Sequence, residues 1–105
     1  MNVVLETDRF AKKYGKCEKV EQEWIDSIRD QLVQNLRIGK PLHFDWFREK
    51  RFGGKRLYFL ASETKRKAVL IAFGTKKEQQ QYIRHVVDNR HEYWRILQYG
   101  ISERV

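Results

Sequence analysis

The sequence contains one cysteine, Cys17, one proline, Pro41, and one methionine, Met1, in 105 residues. One cysteine forms no intramolecular disulfide and builds no thiolate metal cage, so disulfide-stapled and zinc-finger architectures are excluded and a reducing compartment is favoured. Cys17 lies between Lys16 and Glu18 with no HEXXH motif, CXXC motif or neighbouring histidine. It reads as an incidental thiol rather than a nucleophile. Long apolar runs are also missing: the opening segment is apolar only over Val3-Val4-Leu5, too short for a signal peptide or a membrane span. No repeat, low-complexity tract or linker divides the chain. The expectation is one domain over residues 1–105 with one modest core, in the cytoplasm and away from membranes.

Negative charge is the other shortage. Asp and Glu number 14 against 22 Lys and Arg, for a net charge of +8. A field of that sign attracts a polyanion, with nucleic acid the default partner, or an acidic protein; it also serves solubility alone. With 41% hydrophobic and 13% aromatic residues, the chain has enough apolar material to fold.

Val3-Val4-Leu5 reads as a strand, and Thr7 or Asp8 offers an N-cap for a short helix ending near Gly15. From Val20, apolar Trp24, Ile25, Ile28, Leu32 and Leu36 recur at helical spacing opposite charged residues. Ile38-Gly39-Lys40-Pro41 is the expected stop. Three strands follow, Leu42 to Phe52, Lys55 to Ser62 and Ala68 to Phe73, joined as antiparallel hairpins. Thr75-Lys76-Lys77-Glu78 matches a capping box that opens a final helix carrying Tyr82, Ile83, Val86, Val87, Tyr93, Trp94 and Leu97. Residues 98–105 read as a flexible tail. The predicted class is α+β: a small antiparallel sheet of about four strands, two N-terminal helices packed on it, and a C-terminal helix.

Two conflicts within this pattern carry chemistry. A two-residue loop at Gly53-Gly54 sets Arg51 opposite Arg56 and Glu49 opposite Tyr58. Like charges facing each other across strands cost about 0.2–1 kcal/mol, so an anion belongs between them unless they splay into water or pair with Glu49. Lys76 and Lys77 add positive charge to a helix N-terminus, where exposed N–H groups already favour anions. Since that helix directly follows a strand neighbouring Arg56, the two positive sites are expected to meet over one sheet face.

The stretch Glu49 to Phe59, with Val69 to Gly74 and Lys76 to Tyr82, resembles the RelE/ParE toxin superfamily. The order of elements fits from residue 1 to about residue 97, and the arginine in Gly54-Lys55-Arg56-Leu57-Tyr58 is the most characteristic mark. The resemblance implies a toxin of a type II toxin–antitoxin system acting as a ribosome-dependent mRNA endoribonuclease. A ribose 2′-OH attacks the adjacent phosphate, no metal or other cofactor is needed, and translation stops. It implies three partners: the ribosome, mRNA, and a cognate antitoxin that is acidic and partly disordered.

Carried over by position, Arg56 matches the phosphate-stabilising arginine. Arg51 and Lys76 match basic positions, and Tyr82 matches a tyrosine that orients or stacks on the base. Glu49 is a candidate carboxylate base, although a carboxylate flanked by two arginines is a weak one. Lys77, Lys55, Arg48 and Lys50 are assigned to RNA contacts. RelE itself has lysines where this chain has Glu49 and Arg51, and an arginine where it has Lys76, so the base and acid stay open. His43 and His85 are candidates by residue type only. Tyr82 also fits the apolar stripe of the last helix. Two alternative functions are ParE-like inhibition of DNA gyrase through protein binding, and a non-catalytic RNA-binding module presenting Trp46, Phe47 and Tyr58 on an open sheet face.

Overall fold

The computed structural model describes residues 1–99. β1 (Val3–Glu6) leads into α1 (Asp8–Gly15) and α2 (Lys19–Gln34); β2 (Lys40–Leu42), β3 (Phe44–Phe52), β4 (Lys55–Ser62) and β5 (Lys67–Thr75) follow. A 3₁₀ turn (Lys76–Glu78), α3 (Gln79–Asp88) and α4 (Arg90–Tyr99) complete the described chain. The α+β class is as expected. Among the described residues the sheet has five strands in the order β1-β5-β4-β3-β2, where about four were expected.

The sheet is also not purely antiparallel, because β1 pairs parallel with β5, Val3 opposite Lys67 and Glu6 opposite Leu70. The extra strand is the three-residue β2, which pairs with β3 at the sheet edge. Pro41 fits there, where a missing N–H costs little. His43, at φ 64°, breaks the segment expected to be one strand from Leu42 to Phe52.

α1 begins as expected, with the Thr7 hydroxyl accepting from the Phe10 N–H at 3.1 Å. α2 ends earlier than its apolar period suggests: Asn35 is its C-cap with extended φ and ψ of −151° and 110°. Leu36 still reaches the core from the irregular segment beyond, which is why the helical spacing overran. The expected final helix is broken at Asn89, whose N–H and side-chain amide both donate to the His85 carbonyl, at 3.0 and 2.9 Å. Gln98 and Tyr99 end α4 as helix rather than as tail. The remainder of the expected tail, residues 100–105, lies outside the described residues.

Two apolar layers flank the sheet. On one face Phe10 of α1 and Ile25, Ile28 and Leu32 of α2 pack on Leu57, Phe59, Ala68, Leu70 and Phe73. On the other, Val86 of α3 and Leu97 of α4 pack on Phe47, Tyr58, Leu60, Val69 and Ile71. Alternation along β4 therefore divides its residues between the layers, Leu57 and Phe59 to the first, Tyr58 and Leu60 to the second. Both faces being covered explains why β4 and β5 read as unbroken apolar runs. A bulge opposite Tyr58 and Phe59 adds one residue to β5. It returns Phe73 to the α1/α2 layer and turns Gly74 to the face of α3.

Candidate active site

The β3–β4 register is the expected one: Phe52 faces Lys55, Arg51 faces Arg56, and Glu49 faces Tyr58. Glu49, Arg51, Arg56 and Tyr58 thus share the face that α3 crosses. Arg51 is exposed. Arg56 is only 5% exposed and Glu49 2%, with the Arg56 Nε 3.7 Å from Glu49 Oε1. The arginine pair is therefore resolved by both routes: one guanidinium reaches solvent and the other leans on an internal carboxylate.

The 3₁₀ turn and α3 form the roof. The Lys76 N–H donates to the Gly54 carbonyl at 3.2 Å, joining the start of the turn to the hairpin tip. Glu78 Oε1 accepts from the Thr75 N–H at 2.8 Å and from its hydroxyl at 3.2 Å, so the capping box is formed. What it caps is a 3₁₀ turn, with α3 starting at Gln79. Lys76 and Lys77 consequently stand on that turn, exposed, rather than in the first turn of an α-helix as expected. The Gln79 side-chain amide donates to Glu49 Oε1 at 2.8 Å.

Tyr82 is half-buried with its ring centroid 5.0 Å from that of Tyr58. Burial, reinforced by Glu78 and opposed by Arg9, raises its phenol above the ordinary value. Gly74, directly opposite Arg56 on β5, makes room for this packing. A Cβ there would lie 2.5 Å from Glu78 Oε1 and 3.0 Å from the Tyr82 hydroxyl oxygen.

Among the described residues, two buried polar atoms on this face have no hydrogen-bond partner, Arg56 Nε and the Tyr58 hydroxyl. Tyr58 is fully buried, packed against Phe47 as well as Tyr82. Burial, reinforced by the charge of Glu49, pushes its phenol far above the ordinary range. An unsatisfied buried donor costs about 1–3 kcal/mol, and such groups concentrate where a fold accommodates a function.

The structure brings together Glu49, Arg51, Arg56 and Tyr82, with Lys76 and Lys77 at the rim. Arg48 and Lys55 are corrections: both alternate to the opposite face. Arg48, 7% exposed, donates to the carbonyls of Ile38, Asp45, Arg37 and Gly39 at 3.0–3.1 Å, a fork clamping the loop before β2. Lys55 pairs with Glu21 of α2 and lies 5.8 Å from the Phe73 ring centroid. Lys50 alternates with Arg48 yet lines an open groove with Gly39, Lys40, Glu49 and Arg51. Period-two alternation alone separates Arg48 and Lys55 from Arg56, a signal that was present in the sequence.

Gln79 and Tyr58 were missed as members of this site. Tyr58 is two residues from Arg56 and so detectable by the same alternation; Gln79 has no sequence signal. Phe47 and Tyr58, offered above as an exposed stacking surface, are fully buried. Trp46 is half-buried between Phe44 and Trp94, at centroid distances of 4.8 and 5.6 Å. His43 and His85 are exposed, and His85 Nδ1 lies 3.1 Å from the Tyr93 hydroxyl. Burial, with Glu21 nearby, pushes the Cys17 thiol up, away from the reactive thiolate.

The sequence matches no protein-family model and no curated protein; its likeness is in three dimensions. The structure is similar to a double mutant of the E. coli toxin RelE in the free state, with TM-score 0.69, 15% identity, and coverage of 85% of this chain and 96% of that one. It is similar to the same RelE double mutant in complex with an antitoxin RelBc peptide, with TM-score 0.65, 17% identity, and coverage of 81% and 94%. It is also similar to a chain of the intact E. coli RelBE toxin–antitoxin complex, with TM-score 0.64, 16% identity, and coverage of 71% and 96%. No described helix is long and apolar enough to cross a membrane. The resemblance read from the hairpin holds at the level of architecture: this chain has the RelE-like toxin fold.

Proposed function

We propose that the chain is the toxin of a type II toxin–antitoxin pair and an mRNA endoribonuclease that works on the ribosome. The observation that carries this reading is a nearly buried guanidinium, Arg56, beside a buried carboxylate, Glu49, with an unpartnered Nε, on the hairpin where the fold and the sequence resemblance agree. A purely structural ion pair in so buried a place would close that 3.7 Å gap with a hydrogen bond.

In the proposed reaction the 2′-oxygen of a ribose attacks the adjacent phosphorus, forming the P–O2′ bond as the P–O5′ bond breaks. The 2′-OH proton passes to a base and the departing 5′-oxygen takes up a proton, leaving a 2′,3′-cyclic phosphate and a 5′-hydroxyl. Arg56 holds the phosphate as negative charge accumulates, supported by Arg51 and Lys76 at the rim. These protein cations neutralise the phosphate, so the reaction needs no metal ion. Glu49 takes the 2′-OH proton after Gln79 releases it. Tyr82 orients the substrate, while Lys77 and Lys50 contact the RNA backbone. The basic surface suits an acidic, partly disordered antitoxin segment, and the work on ribosomes is cytoplasmic.

The test is to incubate the protein with translating ribosomes and map mRNA ends for wild type and Arg56→Ala. The expected result is new ends within the ribosome-bound codon for wild type only. Intact mRNA with unimpaired translation overturns the reading, and a fall in gyrase supercoiling instead would support inhibition by protein binding.

A further inference from the structure

We propose that the Tyr58 hydroxyl and Arg56 Nε are a paired donor set that holds one phosphate group, making Tyr58 a substrate-binding residue. This rests on the nuclease reading for the identity of the phosphate, an RNA phosphodiester. It does not rest on it for the presence of a phosphate site.

Tyr58 and Arg56 stand two residues apart on β4, on the same face, with Cα atoms about 6.6 Å apart along a strand. Long side chains from two such positions converge on one tetrahedral anion through hydrogen bonds of about 2.8 Å. Both contribute a buried atom without a partner. Packing accounts for the Tyr58 ring, which sits 6.3 Å from Phe47 and 5.0 Å from Tyr82 between centroids. It does not account for the hydroxyl, since phenylalanine would fill the same space without an orphaned donor.

Glu49 faces Tyr58 across the strand pair, yet its Oε1 is engaged by Gln79 at 2.8 Å. The Tyr58 hydroxyl makes no hydrogen bond to Glu49, which leaves the phenol free to donate. Buried next to a carboxylate, the phenol stays protonated and remains a donor at neutral pH. A phosphate reaches the two donors when the Gln79 side chain leaves Glu49, because Gln79 and Tyr82 roof the face.

The experiment compares wild type, Tyr58→Phe and Lys12→Ala, an exposed control on α1, in two assays. In the first, inorganic phosphate replaces chloride at constant ionic strength and the rise in Tm is measured, since a ligand that binds only the folded state stabilises it. Wild type and Lys12→Ala are expected to show the rise and Tyr58→Phe to lose most of it. Tyr58→Phe should nevertheless be at least as stable as wild type without phosphate. In the second, cleavage on ribosomes should fall about tenfold or more in Tyr58→Phe, as expected for a lost hydrogen bond to a charged group.

Equal phosphate shifts in wild type and Tyr58→Phe overturn the proposal, as does a wild type without any shift. So does a Tyr58→Phe protein that loses stability in chloride, which would reveal a structural hydrogen bond. A phosphate shift dependent on Tyr58 in a protein that cuts no mRNA leaves the paired donors standing and removes the nuclease reading. Undiminished cleavage by Tyr58→Phe does the reverse.

Discussion

The two faces of the sheet handle buried charge in opposite ways. Under α1 and α2, Arg48 meets four backbone carbonyls and Lys55 meets Glu21. Under α3, Arg56 Nε and the Tyr58 hydroxyl make no hydrogen bond, and Glu49 accepts from Gln79 while lying 3.7 Å from that Nε. The same strands supply both faces through alternate residues, so composition does not explain the difference. The first face is chemically closed. The second keeps two buried donor atoms, Arg56 Nε and the Tyr58 hydroxyl, without a hydrogen bond.

The sharpest probe of that contrast is Glu49→Ala, which strips the counter-ion from a guanidinium that is 5% exposed. Loss of one partner of a buried pair costs about 3–5 kcal/mol, read as a lower urea midpoint; a loss under about 1 kcal/mol would mean that Arg56 is solvated and the face open. Next is Arg56→Ala, expected to lower the cleavage rate by about 10²–10³ as for removal of a preorganised donor to a charged transition state. Single-turnover mapping of mRNA ends checks it, and a change below about threefold would make the pair a stability element like Arg48.

On the closed face Arg48→Ala should cost about 2–3 kcal/mol in urea unfolding, since several carbonyls lose a shared donor. Arg48→Lys should recover less than half of it, because a lysine has no planar fork to reach them. The smallest effect belongs to Lys55, whose side chain is 42% exposed. Its hydrogen bond to Glu21 holds that carboxyl below its ordinary value. The folded state thus has the lower pKa, and the pair's contribution is present above the ordinary carboxylate range and lost as pH falls through the lowered value. With solvent screening it amounts to less than about 1 kcal/mol. Lys55→Met should flatten the loss of stability between neutral and acid pH by that amount, and an unchanged pH profile would assign Lys55 no structural part.

Much of the architecture was legible because local chemistry decides it. Gly53-Gly54 fixes the hairpin register, and with it the meeting of Arg51, Arg56 and Glu49. The Thr75 and Glu78 side chains fix where the chain turns after β5. Elements decided by tertiary contact were not legible. β2 is three residues with a proline, held by pairing with β3 rather than by propensity. The parallel partner of β1 leaves no mark in its apolar pattern. Leu36 extends a helical period that its backbone does not follow, since burial rewards the side chain whatever the local φ and ψ. In the site, residue types pointed to cations and a carboxylate, while the depth of Arg56 and the roofing by Gln79 follow from packing.

The pairing of β1 with β5 bears on the order in which the chain acquires its structure. Val3 finds its partner Lys67 about 64 residues later. At roughly 5–20 residues per second, a ribosome needs several seconds to supply it. β3 and β4, joined by the two-residue Gly53-Gly54 turn, can pair locally as soon as both have emerged, while β1 must find a partner much further along the chain. Closing so long a loop is a slow event in folding, and it falls to a four-residue edge strand. The β3–β4 hairpin that carries Glu49, Arg51, Arg56 and Tyr58 is thus set early, and the edge beside β5 is sealed last.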